Sequence, residues 1–186
     1  MSTLSLQNLQ GVVAAGNIIT VSSGSVVYSP GSVIQVAHAY KTDTQTISAS
    51  ATFQDITGLT VTLTPKKISS KFLIQWSVVM GNGTDASHGY IRINRNGTVI
   101  GNADAASNRT PAAGLIVNTA VAGQTLPATG SFLDSPATTS AITYKLTSKS
   151  NESAAVTYIN RSSRDTDLSG YDGRGTSYLL VMEIAV

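Results

Sequence analysis

Cysteine is absent from this chain of 186 residues. Disulfide staples, zinc fingers and thiol catalysis are thereby excluded. Charge is scarce as well: Asp, Glu, Lys and Arg make up 12% of the residues, where a typical globular domain has about 25%. The formal net charge is +2, so the chain has no basic field to hold nucleic acid and no acidic tail. No apolar run approaches the ~18 residues of a membrane helix. The start, MSTLSLQNLQ, lacks the basic and apolar regions of a secretory signal. The expectation is a protein made in a cytoplasm, without membrane insertion, and either soluble or built into a particle there.

Ser, Thr, Asn, Gly and Ala stand where charge is missing. With 41% hydrophobic residues and so few charges, a lone copy would be poorly solvated, and self-association is the simplest remedy. The length suffices to bury roughly 70% of the surface the unfolded chain exposes. Helical periodicity never lasts beyond a turn or two, whereas period-two alternation recurs between turn residues. Val33–Tyr40, Thr44–Ile56 and Leu59–Leu63 read as strands. So does Lys71–Met80, with Phe72, Ile74, Trp76, Val78 and Met80 on one face. Gly89–Asn94 and Thr98–Gly101 flank Asn96-Gly97, the strongest short hairpin signal because both residues accept φ > 0. Further strands follow at 115–121, 124–133, 142–147 and 156–160. The last, Thr176–Val186, is apolar on both faces except at Glu183, which marks a central strand lodged near a subunit contact. The spacing of about ten strands points to an all-β, antiparallel sandwich of jelly-roll type.

Three units are expected. Residues 1–16 form an attachment arm anchored by Leu4, Leu6 and Leu9. Residues 17–30 carry short β runs cut by Ser-Gly and Pro-Gly, too short to form a sheet in one chain but able to pair if three chains wind into a stalk. Residues 31–186 form the head.

Chemistry is thinly represented. His38 sits in a strand as VAHAY and reads as a half-buried strand residue. Asp165, Asp167 and Asp172 lie in a loop with Arg161, Arg164 and Arg174. Their spacing is not that of a calcium loop, and an Arg–Asp network is the reading favoured. There is no GxSxG elbow, no phosphate loop and no carboxylate pair in an apolar setting. No catalytic residue, cofactor or metal ligand is assigned. Trp76 belongs to the core. Tyr40, Tyr90, Tyr171 and Tyr178 are the aromatic side chains available to stack on sugars.

Four stretches carry a resemblance: SPGSVIQV at 29–36, LTVTLTPKKISSKFLIQWSV at 59–78, FLDSPATTSAITYKL at 132–146 and YDGRGTSYLLVMEI at 171–184. Together they resemble the head domain of bacteriophage tail-fibre and virion surface proteins. The resemblance implies a tumour-necrosis-factor-like jelly roll, a homotrimer and a structural role in a virion without enzymatic activity. Only residues 1–30 precede the head, so a short fibre is expected, held to another virion protein by its arm. The receptor-facing candidates are Asn82, Asp85 and His88, then Asn102, Asp104, Asn108 and Arg109, then Asp167 and Tyr171, all offered to a host surface glycan. A capsid decoration trimer, or a lectin-like module outside any virion, are the alternatives.

Overall fold

The computed structural model describes residues 29–48, 50, 52–82, 88–117, 123–151 and 155–186. The arm at 1–16, with Leu4, Leu6 and Leu9, lies outside the described residues. So does the stalk, apart from Ser29 and Pro30 at its end.

Among the described residues eleven strands follow in chain order: β1 (Val33–Lys41), β2 (Gln45–Ile47), β3 (Gln54–Leu63), β4 (Lys71–Asn82), β5 (His88–Arg95), β6 (Thr98–Ile100), β7 (Gly114–Val117), β8 (Leu126–Asp134), β9 (Ile142–Ser150), β10 (Thr157–Ile159) and β11 (Ser177–Ile184). All ladders are antiparallel. Three pairs of strands are collinear. β10 and β11 share one edge of β4. β1 and β2 extend side by side along β11 and β10. β6 and β7 share one edge of β5. Joined in this way, the eleven strands act as eight long ones. One sheet runs β1/β2, β10/β11, β4, β8, and the other runs β3, β9, β5, β6/β7. In chain order the long strands pair first with eighth, third with sixth, second with seventh and fourth with fifth. A folded-over β-ribbon produces that order, and it defines a jelly roll.

The core lies between the sheets. Phe72, Ile74, Trp76, Val78 and Met80 of β4 all point into it, as their alternation requires. They meet Ile91 and Ile93 of β5 and Ile142, Tyr144 and Leu146 of β9. The sheets are also joined by polar groups. The buried Tyr144 hydroxyl donates to Asp134 Oδ2 at 2.7 Å, and Arg95 donates to Asp134 Oδ1 at 2.6 Å. Burial, with the Asp134 carboxylate beside it, pushes the Tyr144 phenol far above its ordinary value.

The final strand is central, with β1 on one side and β4 on the other. Within the single chain its two faces are unlike. Leu179, Val181 and Glu183 are buried, while Tyr178, Leu180, Met182 and Ile184 are half-exposed on the outside of the sheet. Glu183 is tolerated inside because its Oε1 accepts the Lys66 backbone N–H at 2.7 Å.

Residues 44–56 and 59–63 differ from the expected pair of strands. β2 stops at Ile47, and β3 runs unbroken through Gln54–Leu63. Its register slips between Asp55 and Thr60, where Gly58 adopts φ 87°. The bulge turns both Ile56 and Leu59 inward although they are an odd number of residues apart. His38 is on a strand as expected, yet exposed rather than half-buried. It lies on the outer face, with ring centroids 5.8 Å from Tyr40 and 6.3 Å from Tyr178.

Gly130 of β8 pairs with Trp76 of β4. A Cβ at Gly130 would fall 2.2 Å from Trp76 Cζ2, so the indole lies flat on bare backbone. Gly130→Ala should lower stability by about 2 kcal/mol in urea unfolding. A second change, Trp76→Phe, should recover part of that loss.

Candidate functional site

Two loops leave the sandwich from the middle of long strands, and each builds a cavity. The first, residues 101–113, interrupts the edge formed by β6 and β7. Its start requires glycine: Gly101 takes φ 63°, and a Cβ there would meet the Phe132 ring at 2.8 Å. Its neck is closed by Ala103 N–H donating to Ala112 O at 3.2 Å and Ala113 N–H donating to Ile91 O at 2.8 Å. The Pro111 carbonyl then accepts from Arg92 Nε at 3.0 Å and Asn102 Nδ2 at 3.4 Å. At the tip Arg109 N–H donates to Ala106 O at 3.1 Å, around Ser107 with φ 53°.

Between this loop and the sheet lies a groove of about 450 Å³. His88 and Tyr90 of β5 and Leu115 of β7 supply its apolar side. Asp104, Asn108 and Arg109 supply its polar side. The His88 and Tyr90 rings stack with planes 11° apart and centroids 5.9 Å apart. The outer face of the sheet continues the arrangement. Lys149 lies 5.9 Å from the Tyr90 ring and 5.7 Å from Phe53. The Arg92 guanidinium lies 3.9 Å from the Phe53 ring centroid, and burial lowers its pKa.

The second loop, residues 160–176, interrupts the long strand formed by β10 and β11. Its neck is closed by Gly175 N–H donating to Asn160 O at 3.0 Å and by a bridge between Arg161 and Arg174. Asp172 is its hub. The carboxylate accepts from Arg164 Nε at 3.1 Å, from Ser162 Oγ at 2.9 Å, and from both the backbone N–H and the hydroxyl of Thr166. Asp165 is gripped by Arg174 at 2.9 Å and Arg161 at 3.3 Å. The loop is thus the Arg–Asp network that its composition suggests. Among the described residues no three His, Asp or Glu side chains converge as a metal ion requires. A cavity of about 330 Å³ here is lined by Asp167, Leu168 and Arg174, among others.

The sequence-derived candidates therefore divide. His88, Asp104, Asn108 and Arg109 come together in the first groove. Asn102 stands at the neck of the same loop and acts on its backbone. Asp167 lines the separate second cavity, and Tyr171, 73% exposed, projects from the same loop. Asn82 ends β4, opposite Thr157 of β10. Asp85 lies outside the described residues. Leu115 was missed as a groove residue. It alternates with the buried Ile116, and nothing in so short a run says which of the two faces outward.

The strand order makes the chain a jelly-roll domain. No family model matches it, and no curated protein does. Among solved structures, a chain in the structure of infectious bursal disease virus Gx strain is similar at TM-score 0.42 and 13% identity. The match covers 90% of this chain and 46% of that one, so this chain spans about half the length of its neighbour.

Arg164, then Thr166 and Ser162, hold the Asp172 carboxyl well below its ordinary value of 3.8. A depressed carboxyl stabilises the fold above its unfolded pKa and loses that contribution as pH falls through the folded one. The thermal midpoint should therefore drop below about pH 4, and Asp172→Asn should start lower and show a shallower drop. Midpoints measured across an acid pH series check this.

Proposed function

We propose that this chain is a structural, non-catalytic protein of a bacteriophage virion. It forms a short homotrimeric fibre whose tumour-necrosis-factor-like head faces the host. Residues 1–16 hold it to another virion protein, residues 17–30 wind into a three-chain stalk, and the head presents its loops to a host surface glycan. The phage part of this reading rests on the four stretches that resemble such heads, with the jelly-roll strand order in agreement.

The observation that carries assembly is the outer face of the β1–β11–β4–β8 sheet. The strand registers give it three cross-strand rows. They are Val36–Met182–Leu73–Leu133, His38–Leu180–Gln75–Ser131 and Tyr40–Tyr178–Ser77–Thr129. None contains Asp, Glu, Lys or Arg. Val36 is 59%, Tyr40 55% and Leu133 48% exposed in the single chain. At ordinary strand spacing the rows span roughly 400 Å², the size of surface patch that on a single chain is often functional. A closed three-fold ring joins two different patches at each junction, and this face supplies one of them. The stalk sequence and the family resemblance favour three copies over two.

Sedimentation equilibrium at low micromolar concentration should give three times the 19.3 kDa chain mass. Leu180→Lys should give a folded single copy with unchanged far-ultraviolet circular dichroism. A folded wild-type single copy would overturn the reading. Peptide mapping of purified particles tests the virion role separately.

A further inference from the structure

We propose that the groove between β5, β7 and loop 101–113 binds a neutral hexopyranose, with one face of the sugar ring on Tyr90. This deepens the receptor-facing part of the proposed function by naming a ligand class, and to that extent it rests on that reading. A pyranose has an apolar face of C–H groups and a rim of hydroxyls. It therefore needs a flat hydrophobic platform beside planar groups that both donate and accept hydrogen bonds.

The groove has both. Tyr90, with His88 stacked on it and Leu115 directly opposite on β7, forms the platform. Asp104 and Asn108 stand on the facing loop. A carboxylate accepts from two hydroxyls at once, and an amide donates to one hydroxyl while accepting from its neighbour. Among the described residues neither side chain has a hydrogen-bond or ion-pair partner of its own. Apart from His88, the lining carries one carboxylate, Asp104, and one guanidinium, Arg109. The charges of these two lining residues cancel, while Lys149 lies 5.9 Å from the Tyr90 ring; the acidic probe in the test reads whether that cation selects a charged sugar over a neutral one. The cavity of about 450 Å³ is within the range of small-ligand sites.

The loop wall is built before any ligand arrives. Its backbone is tied to the sheet through the Pro111 carbonyl, held by Arg92 and Asn102, so little ordering is left for binding to supply. The groove also lies on the outside of the second sheet. The rows assigned to assembly lie on the outside of the first. The groove is therefore separate from those rows and is repeated once per copy, and weak single-site binding gains from the repetition.

The test is saturation-transfer difference NMR on the assembled full chain, with methyl glucoside, galactoside and mannoside as neutral probes and methyl glucuronide as the acidic one. Transfer to the ring C–H protons of at least one neutral probe is expected. Tyr90→Ala should weaken binding about tenfold and Tyr90→Phe should retain it. Asp104→Asn should weaken it severalfold. Circular dichroism and sedimentation of each variant show that it is folded and assembled. The proposal is overturned by no transfer to any neutral probe, by binding that survives Tyr90→Ala, or by preference for the glucuronide that depends on Arg109. A wild-type single copy that still binds would remove the assembly reading and leave this site standing. An assembled protein that binds nothing would do the reverse.

Discussion

The fold depends on one buried polar junction. Two adjacent long strands of the first sheet break at the same level, one between β1 and β2 and the other between β10 and β11. Such a double break strands backbone donors and acceptors inside the protein, and each unpaired group is costly. Asn160 stands at this break and meets groups on both sides of it. Its Nδ2 donates to Lys41 O at 3.0 Å and Asp43 O at 2.9 Å, while its Oδ1 accepts the Ser177 hydroxyl at 2.6 Å. Ser177 Oγ in turn accepts the Val79 N–H at 3.0 Å, and Asn160 N–H donates to Val79 O at 2.9 Å. Both residues are fully buried. Asn160 holds φ 62° to do this, a left-handed conformation that Asn tolerates better than most residues. The junction lets a loop of Asp, Arg and Gly leave the centre of a sheet without unravelling it. It also sets where β11 begins, between β1 and β4.

Period-two alternation made much of the sandwich legible. The inward face of β4 and the Asn96-Gly97 hairpin were visible residue by residue, because each depends only on local spacing. The hairpin has φ 48° and 87° at its two central residues. What stayed hidden depends on partners. Nothing local in Thr57-Gly58 announces a bulge; it follows from the need to bury both Ile56 and Leu59. The breaks in the long strands were read as ordinary strand ends, since collinearity appears only when the shared neighbour, β4 or β5, is in place. The two faces of the last strand look alike in the sequence because its outer residues are as apolar as its inner ones. Pairing tells the faces apart, and the inner one is the face that carries Glu183.

The site was legible to a similar depth. Asp104, Asn108 and Arg109 stood out as polar residues on a long loop, where recognition residues tend to lie. Tyr90 stood out as an aromatic able to stack on a sugar, whereas Leu115 was less visible, because a strand side chain becomes part of a site only when something folds over the sheet beside it. Here that something is the Pro111 segment, fastened by Arg92. Phe53 caps Arg92 and the Lys149 chain on the outer surface.

The two sheets thus use the same architecture for opposite ends. In each, a long strand is interrupted and the interruption becomes a loop with a closed neck. In the loop of the first sheet two of the three carboxylates are held internally: Asp172 and Asp165 take their hydrogen bonds from Ser162, Arg164, Thr166, Arg161 and Arg174. A carboxylate already held by its own loop has little left to offer a ligand. The loop of the second sheet is fastened only at its backbone, through Pro111, Ala103 and Ala113. Its side chains Asp104 and Asn108 have no partner among the described residues and lie beside an aromatic floor. A polar side chain that faces water rather than its own loop stays available to a ligand, and the proposed sugar site rests on this difference between the loops.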